Sequence, residues 1–119
     1  MRKCLIALVA LIPFGTALAA DKERDKVIFN VALLFNTAMT AEKSCPNIEM
    51  DDHEMNQFMA ALNVHAPDMP SVTAAMDAIR PYTDKRLRED GVAKFCSEVI
   101  ARIGPDGESH YKLLKVKAH

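Results

Sequence analysis

Tryptophan is absent from these 119 residues, and tyrosine (two), glycine (four) and cysteine (three) are scarce. A core without indoles must be built from Leu, Ile, Val, Ala and Met, with Phe29, Phe35, Phe58 and Phe95 as its larger pieces. So few glycines provide no phosphate-cradling Gly-rich loop, and an aliphatic, Ala- and Met-rich chain reads as helical. Neither charge sign dominates: 15 Lys and Arg stand against 16 Asp and Glu. That balance removes the electrostatic case for nucleic acid or an anionic membrane surface as partner.

Long apolar runs are missing too, except at the start. Met1-Arg2-Lys3 is basic, Cys4 to Phe14 is apolar but short for a bilayer, and Ala17-Leu18-Ala19 supplies the small residues of a cleavage site. That is the layout of a secretory signal peptide over 1–19. Cleavage after Ala19 leaves residues 20–119 as one domain, with no integral membrane segment and 13 basic against 16 acidic residues. A hundred residues bury a modest core and leave little room for an elaborate enclosed active site. The expected location is periplasmic or secreted.

Cys4 leaves with the signal, and Cys45 and Cys96 remain. Two cysteines in an exported chain pair most simply with each other. A redox pair would show Cys-x-x-Cys, and a metal thiolate pair would be closer in sequence.

Apolar periodicity predicts four amphipathic helices. The first runs from about Asp21 to Lys43 on a stripe of Val27, Ile28, Val31, Leu34, Phe35 and Ala38, ending before Pro46. The second starts at Asp51 or Asp52, with Asp51 as N-cap and Glu54 three residues on. It carries Met55, Phe58, Met59 and Leu62, and ends near Asn63. Ser71 is the expected N-cap of the third, whose stripe of Val72, Ala75, Met76 and Ile79 meets a kink or break at Pro81. The mixed charges from Asp84 to Asp90 read as a solvated face, and Gly91 marks a joint. Val92, Phe95, Cys96, Val99, Ile100 and Ile103 form the fourth stripe, stopped by Gly104-Pro105. A basic tail over about 105–119 follows, with Tyr111, Leu113, Leu114 and Val116 available to pack as a strand-like or irregular arm. The fold class expected is all-α, a small bundle of about four helices stapled by one disulfide.

Candidate chemistry is sparse. Glu49 to Met55 gathers four carboxylates and His53, and Met55 and Met59 lie one helical turn apart, an arrangement that invites a copper-carrier reading. Yet acidic residues suit a helix N-terminus, and a Met stripe at helical spacing is core material. No His-x-x-x-His, calcium-loop or paired-Cys ligand pattern appears. His53, His65, His110 and His119 are scattered through cap, loop and tail, and Ser44, Ser71, Ser97 and Ser109 each have a local role as loop, cap or surface residue. Gly-x-Ser-x-Gly is absent. Asp51 and Asp52 point apart on a helix and form no acid–base pair. No catalytic residue, cofactor or metal site is assigned.

The segment Phe95-Cys96-Ser97-Glu98 through Ile103-Gly104-Pro105-Asp106-Gly107, with Leu113-Leu114 beyond it and Ser44-Cys45-Pro46 before it, resembles a family of small exported bacterial proteins of unknown function. The resemblance implies a signal-bearing helical domain with one disulfide and no activity. In layout alone, the chain is also similar to periplasmic acid-stress chaperones of the HdeA type. The expected role is therefore non-catalytic, binding another envelope protein or serving structurally. Met-rich apolar faces, with Met50, Met69 and Tyr82 beside them, would make the contact. An acid-responsive chaperone is the alternative, and a copper carrier a further one.

Overall fold

Residues 2–118 are described by the computed structural model, with side chains described from residue 22 onward. The element order is α1 (Arg2–Ser44), β1 (Ile48–Met50), α2 (Asp52–Ala61), a 3-10 turn (Ala66–Asp68), α3 (Met69–Asp90), α4 (Val92–Ile103) and β2 (Leu114–Val116). Helix dominates, as the composition requires, and the four expected helices are present. The signal peptide and its cleavage site lie outside the residues whose side chains are described. Among the described residues, no helix is long and apolar enough to cross a membrane.

The buried stripe of α1 runs through Ile28, Val31, Ala32, Ala38 and Ala41 to Cys45. Phe29 is a correction to the expected core: it is 51% exposed, because one residue along a helix is a rotation of roughly 100° away from Ile28. Helix α1 begins at Arg2 and not near Asp21. Helices α1 and α3 run alongside each other in the same direction. Arg24 meets Asp68 at one end, and Leu33 and Thr37 share a depression with Ile79 and Thr83 farther along.

Asp51 caps α2 as expected, its Oδ1 accepting from the Glu54 N–H at 3.1 Å. The helix ends at Ala61, two residues before the expected stop. Asn63 then takes a left-handed conformation, φ 58°, one that Asn tolerates better than most residues with a Cβ. The third helix differs from expectation twice. It starts at Met69 after Asp68, with Pro70 in the first turn, so Ser71 lies inside it. A proline there removes only an N–H that would be unsatisfied anyway, so the helix starts earlier. It also continues unbroken through Pro81 to Asp90. Pro81 is exposed while Ile79 and Thr83 are buried, so packing of the flanking residues holds the helix across the lost hydrogen bond.

Gly91 is the joint between α3 and α4, at φ 84°, a conformation costly for any side chain but hydrogen. Helix α4 buries Phe95, Cys96, Val99 and Ile103, while Val92, expected in its stripe, is 48% exposed. The chain then folds back, and the Glu108 and Ser109 N–H groups donate to the Ala101 and Arg102 carbonyls. These bonds satisfy acceptors that a helix C-terminus leaves open.

The tail is ordered against the bundle. β2 pairs antiparallel with β1, Ile48 opposite Val116 and Met50 opposite Leu114. Flanking bonds from Asp51 N–H to the Leu113 carbonyl and from Lys117 N–H to the Asn47 carbonyl extend the ladder. Leu113 and Leu114 are both buried. The Lys112 ammonium donates to the carbonyls of Gly107 and Ser109, fixing the turn before the strand. The Cys45–Cys96 disulfide, with Cα atoms 5.6 Å apart, fastens the end of α1 to the middle of α4 beside this strand pair.

Candidate functional site

Of the large apolar side chains that are exposed, Leu33 and Tyr82 meet at one depression, while Val92 and Val116 lie elsewhere. Tyr82 is 76% exposed, and Leu33 is also exposed; both border the same depression, lined further by Thr37, Ile79, Thr83 and Arg86. A second depression adjoins it through Leu33, Thr37 and Arg86 and reaches Leu34, Val99, Arg102 and Ile103. Phe29 precedes Leu33 by one helical turn and continues the strip along α1. Three helices therefore build a shallow apolar groove with two guanidinium groups at its edge. Each depression holds about 120 Å³, below the roughly 300–1,000 Å³ of small-molecule pockets. The groove has the size to receive individual side chains, not an enclosed ligand.

Arg86 is fixed in place. Its Nη2 lies 2.6 Å from Glu98 Oε2, its Nε 3.7 Å from Asp90 Oδ2, and its guanidinium carbon 5.4 Å from the centre of the Phe95 ring. A guanidinium over an aromatic face is attracted by the ring quadrupole. Arg102 enters no ion pair among the described residues. Charge at the edge of the groove thus comes in two forms, one neutralised and rigid, one available.

The sequence-derived candidates are placed as follows. Cys45 and Cys96 form the bridge. Tyr82 lines the groove, whereas Met50 and Met69 are half-buried against the core and contribute no exposed patch. Met55 is 2% exposed and Met59 packs against the core, so both thioethers serve packing. In the acidic segment, Asp51 is a cap, Glu49 lies 3.9 Å from Lys115, and His53 bonds Gln57. Among the described residues no three His, Cys, Asp or Glu side chains gather as metal ligands. His65 bonds Asn63, His110 lies edge-on to Tyr111, and Ser109 accepts from the Tyr111 N–H. His119 lies outside the described residues.

Phe29, Leu33, Arg86 and Arg102 were not singled out in the sequence as site residues. A signal was there for Leu33: Val31 to Phe35 is five apolar residues in succession, and a helix with a single buried stripe must leave some of them outside.

Two of the ion pairs that join separate elements give the fold a pH dependence. Hydrogen bonds from the His65 backbone N–H, and then from Arg24, hold the Asp68 carboxyl below its ordinary 3.8. The Arg86 hydrogen bond holds Glu98 below 4.5. A carboxylate whose folded value is depressed stabilises the fold above its ordinary value, and that stabilisation is lost as pH falls through the folded value. Urea midpoints should therefore be level from about pH 8 to about pH 5 and decline below about pH 4.5. Replacing Arg24 and Arg86 with Gln should flatten the decline in part, since the His65 N–H bond to Asp68 survives; an unchanged acid limb in the double variant would show that neither arginine contributes to it.

A small, disulfide-stapled, mostly helical domain with an open apolar groove is the class of protein defined here. No family model, no curated protein and no solved structure matches the chain.

Proposed function

We propose that this chain is an exported, non-catalytic helical domain that binds another protein of the cell envelope through the groove between α1, α3 and α4. The observation that carries the reading is the exposure of Leu33 and Tyr82 together at one depression, with exposed Phe29 one helical turn before Leu33. Aromatic anchors beside well-packed apolar depressions are the usual energetic centre of a protein interface. Arginine at the edge suits the rim of such a contact. Export is supported by the basic-apolar-small pattern of residues 1–19 and by a disulfide, which persists in an oxidising compartment.

Leu33→Asp and Tyr82→Asp test the site. Both positions are exposed, so the fold should hold, with a stability change of about 1 kcal/mol or less by urea titration. Recovery of the crosslinked partner from the native envelope should fall at least tenfold. Equal recovery by wild type and both variants would place binding elsewhere. Intact mass gives an independent check on export: the recovered protein should match residues 20–119 less the two thiol hydrogens.

A further inference from the structure

Asp25, Phe29, Leu33 and Thr37 follow one another at intervals of four along α1 and so form a single ridge on its surface. Asp25, Phe29 and Leu33 are exposed, and Thr37 is half-buried. Helices pack onto one another through such four-residue ridges. This one is acidic at its start, apolar in the middle, and ends beside a cation: Arg102 of α4 lines the same depression as Leu33 and Thr37. The neighbouring Lys26 and Arg86 are paired with Glu23 and Glu98. Asp25 and Arg102 enter no ion pair among the described residues. Three turns of helix, about 18 Å, separate Asp25 from Thr37, too far for Asp25 to reach Arg102 within one chain.

A second copy of the chain supplies the missing partner for each of these groups. We infer that in the free protein the groove is covered by a second copy, its α1 ridge laid antiparallel on the first about a two-fold axis between Phe29 and Leu33. The inference rests on the reading of this groove as an interaction face. Antiparallel helices count in opposite directions from the axis. Phe29 of one copy therefore falls opposite Leu33 of the other, and Asp25 falls opposite Thr37, next to Arg102. A two-fold contact uses the same surface on both copies, so one operation joins both free carboxylates to both free guanidinium groups. It also takes both exposed phenylalanines out of water. A shift of one turn either way would set Asp25 against apolar Leu33 or against buried Ala41, so complementary charge fixes the register. An envelope partner bound in the groove displaces the second copy, and the dimer is the state of the protein without that partner.

Analytical ultracentrifugation of the purified, disulfide-bonded protein tests the dimer. The mass should pass from monomer to dimer across the micromolar range. Phe29→Lys, at an exposed position where substitution leaves the fold intact, should weaken the dimer at least tenfold. Asp25→Arg or Arg102→Asp alone should do the same, because each reversal sets like charges together and acts twice across the axis. The two reversals combined should restore the dimer to near the wild-type affinity, a rescue that loss of apolar contact alone would not give. A wild type that stays monomeric at every concentration would overturn the proposal. So would a dimer indifferent to Phe29→Lys, or a charge swap that recovers nothing. Each of these results leaves partner binding in the groove standing, since that reading fails instead on equal recovery of partner by Leu33→Asp and Tyr82→Asp.

Discussion

Replacing Cys45 and Cys96 together by alanine should destabilise the protein by about 4 kcal/mol. The bridge spans 51 positions, and closing a loop of that length removes about this much entropy from the unfolded chain in the chain-entropy model. A domain of this size has roughly 5–15 kcal/mol in total, and the loss translates to a fall of roughly 20 °C in melting temperature. Both cysteines are nearly buried, so the alanines also leave core volume unfilled. Placement strengthens the effect. The bond joins the end of α1 to α4 beside the two-strand pair, whereas the helix packing of α1 is mainly against α3. Urea titration of oxidised and reduced protein measures it directly. A difference under about 1 kcal/mol would mean that packing alone seats α1 on α4.

Truncation after Tyr111 should abolish cooperative unfolding altogether. It removes Leu113 and Leu114, each 1% exposed, and a buried Leu reduced to Ala costs about 2–5 kcal/mol. It also removes β2 and leaves the β1 backbone without its partner, along with the bond from Asp51 N–H, at the N-cap of α2, to the Leu113 carbonyl. The summed loss is comparable with the whole stability of the domain. Truncation after Val116 keeps both leucines and the paired strand, and should leave a sharp transition. If the Tyr111 truncation also melted cooperatively near the wild-type temperature, the tail would be an accessory and not part of the core.

The helices were legible in the sequence because apolar residues at three- and four-residue intervals report one buried face, and Val72, Met76 and Ile79 or Phe95, Val99 and Ile103 do so without ambiguity. The disulfide was legible by counting. Boundaries were less so. Pro70 extends α3 backwards, and Pro81 sits harmlessly on a helix held by Ile79 and Thr83, a tertiary effect that local propensity cannot register. The tail was legible only as a strand-like or irregular arm, and a three-residue partner carries too little alternation to be recognised: Ile48 to Met50 pairs because the tail, 64 residues farther on, returns to it. The groove was the least visible. Tyr82 was named, but Leu33 and Arg102 come together only when three helices are assembled, and Met50 and Met69, equally apolar in sequence, turn toward the core.

Site-specific photo-crosslinking in the native envelope is the most direct test of partner binding through the groove. A photoreactive residue at position 33 or 82 should yield one discrete crosslinked species, the same from both positions. The same residue at exposed Asp106 or Lys117 should yield none. A species formed equally from all four positions, or from the two control positions alone, would contradict a binding face between α1, α3 and α4.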